Sequence, residues 1–206
     1  TVERLAIAVA EPAPFRIEID TPPTAILQRG SMNLKVRAIR DEGFDNAITL
    51  RLPWKPSGIG SSGTISLPKG KSEIDYPLTA NGGAAIGTWK IVVLGEANTK
   101  TGPLIVSSAL TELRIEKPFM NIKIEMAAIE RGQAGDLFCK VEQLRPFEGE
   151  AVVELIGLPA HTSTESRKIT KDTKELIFPI QSTKDARART SKTLFTAINI
   201  PWNGHV

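Results

Sequence analysis

The sequence predicts an all-β protein built from two β-sandwiches in tandem. Short runs of alternating apolar residues, separated by Gly, Pro, Asn and Asp, recur along the chain, as half-buried strands require. No window shows an apolar stripe of helical period with a cap, and the 14 prolines would interrupt one. The same order of features also occurs twice at nearly constant spacing. Together these observations favour strands throughout and a duplicated architecture.

Length and composition set the size of the modules. The chain has 206 residues, 41% of them apolar and 24% charged, so two cores of about 100 residues each are expected. No apolar run reaches the length of a membrane span. The 26 basic and 23 acidic residues are interspersed, which does not indicate a nucleic-acid partner. The single cysteine, Cys139, alternates with apolar residues and is interpreted as a small core hydrophobe.

The first full module is expected to contain seven strands. We place the closing strand of a preceding module at residues 1–12, the first sandwich at 13–116 and the second at 117–206. Seven short strands with frequent turn signals are typical of an immunoglobulin-like or fibronectin III-like β-sandwich. The strands of the first sandwich are centred on Ile17, Leu34, Leu50, Ile65, Tyr76, Ile91 and the long segment 105–115.

The second module repeats the first at an offset of about 102 residues. Equivalent features are Gly30 and Gly132, Leu52-Pro53 and Leu158-Pro159, Phe44 and Phe147, and Pro77 and Pro179. Both glycines are expected in turns with positive φ, and the strands that contain the two prolines are expected at a sheet edge or at a bend between sheets. The second module stops without room for a closing strand, so we expect residues 1–10 of one molecule to fill that vacancy in another, as head-to-tail strand exchange.

A resemblance to a known group rests on four short motifs. They are Gly43-Phe44-Asp45, the Leu52-Pro53 corner, the Asp75-Tyr76-Pro77-Leu78 strand and the turn before Trp89. With these motifs the chain resembles the tandem Ig-like modules of very large secreted proteins of planctomycete-type bacteria, which often carry modules of the pre-peptidase C-terminal type. The resemblance implies an Ig-like fold and an extracellular, cell-surface or periplasmic setting. It supplies no catalytic residue.

No pattern of catalytic residues stands out in the sequence. His161 and His205 have no partner at metal-ligand or nucleophile spacing, and both are placed in loops. Residues 58–63 are rich in Gly and Ser but lack the lysine and the helix of a phosphate loop, so a flexible loop is predicted. We therefore expect no enzyme.

Two weaker binding hypotheses remain open. Asp41, Asp45 and Asn46 form an acidic turn that can supply oxygen ligands to calcium, although an ordinary hairpin turn is the favoured interpretation. Trp54, beside Lys55, can stack on a sugar ring or cover the end of its own sandwich. Trp89 is expected in the core, and Trp202 has no placement. The basic segment with Lys184, Arg187, Arg189 and Lys192 is interpreted as a solvated loop or as a surface for an acidic polysaccharide or lipid.

The sequence as a whole favours a structural or adhesive spacer of a large extracellular bacterial protein. Its partners would be the neighbouring modules of the same long chain, with a polysaccharide or a protein at the cell surface as further partners. Pro118 and Phe119 are expected to form a semi-rigid joint, with Phe119 buried there. The alternatives are a carbohydrate-binding accessory module that uses the Trp54 loop, and an ancillary domain of a secreted protease or glycosidase.

Overall fold

The structure, a computed structural model, describes residues 12–100 and 102–201. It divides into two compact units with the boundary between Lys117 and Pro118, and each unit is described by itself below. All regular secondary structure in the described ranges is β-strand. The predicted fold class is therefore confirmed. No helix among these residues is long and apolar enough to cross a membrane.

Unit 1 folds as an immunoglobulin-like sandwich of two layers. One layer is a sheet of strand order β1-β3-β7-β5, and the other has the orders β10-β9-β4-β6 and β2-β11-β8. Its strands are β1 (Phe15–Ile19), β2 (Ile26–Leu27), β3 (Ser31–Arg40), β4 (Ile48–Arg51), β5 (Ile59–Ser61), β6 (Ile65–Leu67), β7 (Glu73–Ala80), β8 (Gly87–Ile91), β9 (Leu94–Thr99), β10 (Gly102–Ser107) and β11 (Thr111–Glu116).

The core of unit 1 follows from the two-residue period of its strands. In β3 the side chains of Leu34, Val36 and Ala38 are buried while their neighbours are less buried or exposed, as one face of a pleated sheet requires. The largest fully buried side chain is Tyr76 of β7, whose hydroxyl donates to the Ser62 carbonyl at 2.8 Å. That bond compensates the cost of burying a phenol oxygen.

Unit 1 departs from the predicted strands in three places. The predicted closing segment 105–115 is two strands, β10 and β11, and the strand that begins at Trp89 continues past a break as β9. Ser108 holds this break closed, because its amide donates to the Val93 carbonyl and its hydroxyl accepts from the Val93 amide. Residues 58–63, predicted as a loop, contain the strand β5.

Unit 2 repeats the strand order of unit 1. Its sheets have the orders β12-β13-β17-β15 and β16-β14-β18, which match β1-β3-β7-β5 and β6-β4-β9 in turn. Strands β3 and β13 begin at residues 31 and 134, and β7 and β17 at 73 and 175, close to the offset found in the sequence. The strands are β12 (Met120–Ile124), β13 (Ala134–Gln143), β14 (Ala151–Ile156), β15 (Thr162–Ser163), β16 (Arg167–Ile169), β17 (Glu175–Ser182) and β18 (Phe195–Asn199).

The two strand prolines lie where a neighbouring strand has ended. Pro77 is on β7, inside the sheet, but the short strand β5 pairs only with residues 78–80 of β7. Pro179 is likewise beyond the two residues of β17 that pair with β15, and its carbonyl accepts from the Thr164 hydroxyl at 2.8 Å. The prediction that these two strands lie at a sheet edge is therefore wrong, since β7 and β17 are both internal. Their prolines are tolerated because a missing N–H costs nothing where no partner strand is present.

One of the two glycine predictions is wrong. Gly132 has φ +76°, as predicted. In the equivalent turn of unit 1 the positive φ, 65°, belongs to Arg29, and Gly30 donates its amide to the Leu27 carbonyl. The turn places its left-handed residue one position earlier than the sequence alignment of the two modules indicated. The predictions made for residues 1–11, Trp202 and His205, strand exchange included, lie outside the described residues.

Candidate functional site

Two tryptophans that the sequence placed apart lie together in unit 1. Trp54 is in the connection between β4 and β5 and is 52% exposed. Its ring centroid is 6.1 Å from that of Trp89 on β8, and the two ring planes are tilted by 51°. We call the surface formed by Trp54, Lys55 and Trp89 the Trp54 face.

Trp89 packs against the core of unit 1, so the expectation that it is a core tryptophan holds in part. Its ring is only partly buried, because β8 is the outer strand of the β2-β11-β8 sheet. The indole N–H donates to the Ala85 carbonyl at 2.8 Å, which fixes the ring orientation and supplies the partner that an indole requires. The fully buried aromatic side chains in the described part of unit 1 are Phe15 and Tyr76.

Lys55 holds the Trp54 connection against the neighbouring strand. Its ammonium donates to the Ser61 hydroxyl of β5 at 3.0 Å, and the Ile59 amide donates to the Pro56 carbonyl at 3.1 Å. Trp54 is therefore carried on a connection that is bonded at two points. The half-exposed Trp54 ring presents apolar area to solvent beside the partly buried Trp89 ring. Exposed aromatic area of this kind is the chemistry that stacks on the C–H faces of sugars.

The acidic turn is held by protein groups. The Asp45 carboxylate is 3.7 Å from the Lys69 ammonium, and the Asn46 side-chain amide donates to the Asn98 carbonyl at 2.8 Å. The Asp41 backbone amide donates to the Pro14 carbonyl at 2.9 Å, and its carbonyl accepts from the Phe44 amide. Over residues 12–100 and 102–201 no group of three or more His, Cys, Asp or Glu side chains is placed to hold a metal ion. The predicted hairpin turn is wrong, because the flanking strands β3 and β4 lie in different sheets. The residues form a connection between the sheets, and Lys69 supplies the cation next to the Asp45 carboxylate.

Phe119 is buried within unit 2. It is 5% exposed, its ring meets the edge of the Phe147 ring at a centroid distance of 6.3 Å, and the Arg145 guanidinium lies 3.8 Å from the Phe119 centroid. Its carbonyl also accepts from the amides of Leu144 and Arg145. These contacts account for the burial of Phe119 inside its own module. The joint role of Pro118 and Phe119 stays a prediction.

Two ionisable groups of β13 have shifted pKa values. The Lys140 ammonium is 2.8 Å from the Glu125 carboxylate; this hydrogen bond and charge lower the pKa of Glu125 and raise the pKa of Lys140. Burial raises the pKa of the Cys139 thiol, and the Glu125 carboxylate adds to the rise. A thiol held neutral in this way is a poor nucleophile, which agrees with its interpretation as a core hydrophobe.

Comparison with known proteins finds no family for the chain and only distant similarity to solved structures. No protein-family model and no curated protein matches it. It is similar to a protein of unknown function from Porphyromonas gingivalis W83, with 9% identity, TM-score 0.35 and coverage of 83% of this chain and 84% of that one. The D00-D0 domain of intimin shares 13% identity, with TM-score 0.25 over 89% and 98% of the two chains. A chimeric titin Z1Z2-Z1Z2 tandem shares 11%, with TM-score 0.26 over 90% and 96%.

The interpretation of function consequently depends on the residues of the chain itself. The sequence had identified Trp54 and Lys55 but not Trp89 as their neighbour. Trp54 lies in the connection between β4 and β5, whereas Trp89 lies on β8, much further along the chain. The alternation of apolar residues within each segment therefore gave no sign that the two rings are neighbours. The proline directly before Trp54 and the turn before Trp89 were the features visible in the sequence.

Proposed function

We propose that the chain is a pair of non-catalytic structural modules, with a spacer or adhesive role, from a large extracellular bacterial protein. The observation that carries the proposal is the repeated sandwich: two immunoglobulin-like units of one strand order follow each other directly in the chain. Each unit has its own buried residues, Tyr76 and Leu50 among those of the first and Phe178 and Val153 among those of the second. Units that stabilise themselves can be added in series without a new interface.

The link between the units supports a spacer role. The Glu116 carbonyl at the end of β11 still accepts from the Gln28 amide at 2.9 Å within unit 1, and Phe119 is already buried in unit 2. Only Lys117 and Pro118 remain between these two fixed points. The proline ring fixes φ of one of the two, so few backbone torsions are free to vary. The extracellular bacterial setting is supported by the sequence resemblance described above.

Small-angle X-ray scattering of the chain tests the spacer role. The wild type is compared with a variant that carries a Gly/Ser insertion of about six residues between Lys117 and Pro118, which adds free torsions without touching either core. The wild-type profile should fit a narrow range of distances between the units, and the insertion should broaden it. If both profiles require equally broad ensembles, the link does not set the separation and the spacer role is wrong.

A second function, binding of a neutral carbohydrate, is favoured by the Trp54 face. A single exposed aromatic ring makes a poor sugar platform, but here Trp89 lies beside Trp54 and both rings are held by hydrogen-bonded connections. Stacking on such rings contributes through apolar contact area and needs no charge. The ligand class is therefore an uncharged polysaccharide that offers the C–H faces of its rings.

Affinity electrophoresis in gels that contain neutral polysaccharides tests this second function. Trp54→Ala should abolish the retardation while leaving the melting temperature nearly unchanged, because the ring is half exposed. The matched control is Ile105→Ala, which removes another large hydrophobic side chain, 51% exposed, from β10 of the same unit. Retardation that is equal in the wild type and Trp54→Ala for every polysaccharide would exclude the Trp54 face as a sugar site.

A further inference from the structure

A basic cleft lies at one end of the unit 2 sandwich. It is lined by Pro159, Ala160 and His161 from the connection between β14 and β15, and by Arg187 and Arg189 from the segment after β17. Its volume is about 270 Å³. This is smaller than the pockets of roughly 300–1,000 Å³ that hold drug-sized ligands, so the cleft matches a single small group. We call it the His161 cleft.

The two arginines of the cleft have no carboxylate partner among the described residues. Elsewhere in unit 2 two surface lysines do have such a partner, Lys140 with Glu125 at 2.8 Å and Lys168 with Glu150 at 2.9 Å. The segment 183–192 contains four basic residues and one acidic residue. The guanidinium groups of Arg187 and Arg189 thus contribute uncompensated positive charge to the lining of a concave surface, where field lines concentrate.

His161 adopts a backbone conformation that histidine rarely takes. Its φ is +65°, in the left-handed region, where a Cβ atom is unfavourable. The equivalent residue in unit 1 is Gly58, with φ +82°. The equivalence follows from one repeated bond: the Gly58 carbonyl accepts from Asn81 at 2.9 Å, and the His161 carbonyl accepts from Thr183 at 3.0 Å. Unit 2 therefore has a histidine at a position where unit 1 has glycine, which adopts a positive φ without strain.

The architecture of the repeat does not require the charge of the cleft. Ala84 in unit 1 and Ala186 in unit 2 are both buried, and their amides bond to the Asn81 and Thr183 carbonyls in the same way. The next residue is Ala85 in unit 1 but Arg187 in unit 2. The same turn forms in unit 1 with alanine at this position. The Arg187 side chain is therefore not needed to form the turn in unit 2.

We propose that the His161 cleft binds an oxyanion, namely a sulfate, phosphate or carboxylate group, either free or carried on a larger molecule. Arg187 and Arg189 supply planar guanidinium donors, which match the oxygens of such groups in pairs. The imidazole of His161 supplies a further ring N–H donor. Pro159 and Ala160 form the apolar part of the lining, which accommodates the carbon atoms next to the anionic group.

Titration followed by amide NMR tests the proposal with the whole chain. Sodium sulfate, phosphate and acetate are added at constant ionic strength, with chloride as the reference salt. At least one of the three oxyanions should shift the amides of residues 160–162 and 187–189 saturably. Absence of saturation with all three would overturn the proposal.

A charge-matched pair of variants separates a built site from general attraction. Arg187→Gln/Arg189→Gln should weaken binding about tenfold or more, since two charge-assisted donors are lost. The control Lys184→Gln/Lys192→Gln removes the same charge from the same segment but outside the cleft, and should change binding by about twofold or less. Equal losses in the two double variants would show attraction to the segment as a whole and would overturn the cleft as a site.

His161→Gly tests the third donor without putting the fold at risk. Glycine is the residue of unit 1 at this position and accepts the positive φ without strain. The variant should therefore melt at the wild-type temperature or above it while binding the oxyanion several-fold more weakly, on the order of the loss of one hydrogen bond. Binding equal to that of the wild type would remove His161 from the site and contradict the proposal.

A sulfated oligosaccharide and inorganic sulfate then distinguish the two sources of the anion. Tighter binding of the oligosaccharide at equal sulfate-group concentration identifies a group carried on a larger molecule, whereas equal affinities identify the free ion. For each of the two ligands, the affinity of the wild type is compared with that of Arg187→Gln/Arg189→Gln. The difference between the two proteins reports binding within the cleft.

Discussion

At the scale of single residues, each sandwich brings a phenylalanine in or next to its first strand together with one from a later turn. In unit 1 the ring of Phe44 stacks on that of Phe15 at 5.2 Å, and in unit 2 the ring of Phe147 meets Phe119 edge-on at 6.3 Å. In both units an arginine guanidinium lies over one of the rings. The sequence showed that Phe44 and Phe147 correspond, but not that each contacts a phenylalanine near the first strand, because contact between a first strand and a later turn leaves no local pattern.

Phe119→Ala is expected to destabilise unit 2 by about 3 kcal/mol, as the loss of a buried phenylalanine does. The effect should be larger in unit 2 than in unit 1, since the Phe147 ring and the Arg145 guanidinium that contact Phe119 are in unit 2. Hydrogen exchange with mass spectrometry measures the two units separately during denaturant unfolding. The control is Phe138→Ala on β13, where the ring is 49% exposed. Our account of Phe119 fails if both variants unfold at the same denaturant concentration.

Calcium removal is expected to leave the melting temperature unchanged to within about 1 °C. Lys69 already faces the Asp45 carboxylate, and the side-chain amide of Asn46 is bonded to the Asn98 carbonyl, so an ion would have to displace protein contacts. Differential scanning calorimetry with and without a chelator measures the shift. A decrease of several degrees would instead identify residues 41–46 as part of a calcium site.

At the scale of elements, the alternation of apolar residues predicted the strands that carry large side chains. It failed at β9, where Gly95 and Ala97 take the inward positions. A Cβ atom on Gly95 would lie 2.7 Å from the Ile17 side chain, so the two sheets approach each other too closely there for a larger residue. Where the residues that face the core must be small, a strand lacks the alternating large apolar residues by which strands are predicted from a sequence.

Cys139 on β13 should report the opening of its sheet. The thiol is 2% exposed and its pKa is raised, so alkylation near pH 8 should proceed only through opened states. Because the pKa of Cys139 is raised in the folded state, the neutral thiol contributes to the free energy of unfolding. This contribution is complete at pH values below the ordinary pKa of 9.0, and it is lost as the pH rises through the folded-state pKa. Alkylation by iodoacetamide, followed by mass spectrometry, should be far slower than in urea. Equal rates would contradict a packed β13.

At the scale of the whole molecule, the order of features in the sequence was enough to predict two sandwiches, because a duplication repeats its turns and prolines together. The surfaces were not predictable in the same way. The Trp54 face and the His161 cleft each join a connection to a strand or segment that is distant in the sequence. Such sites depend on the path of the chain between strands, where periodicity carries no information.

Single-molecule stretching tests the central claim, that two self-stabilised modules follow each other in a structural chain. The molecule is held through handles at both ends and extended at constant speed. Two separate unfolding events are expected, each releasing on the order of 300 Å of chain, since an extended residue spans about 3.3–3.6 Å. A single event that releases the whole chain, or extension without a force peak, would contradict the account.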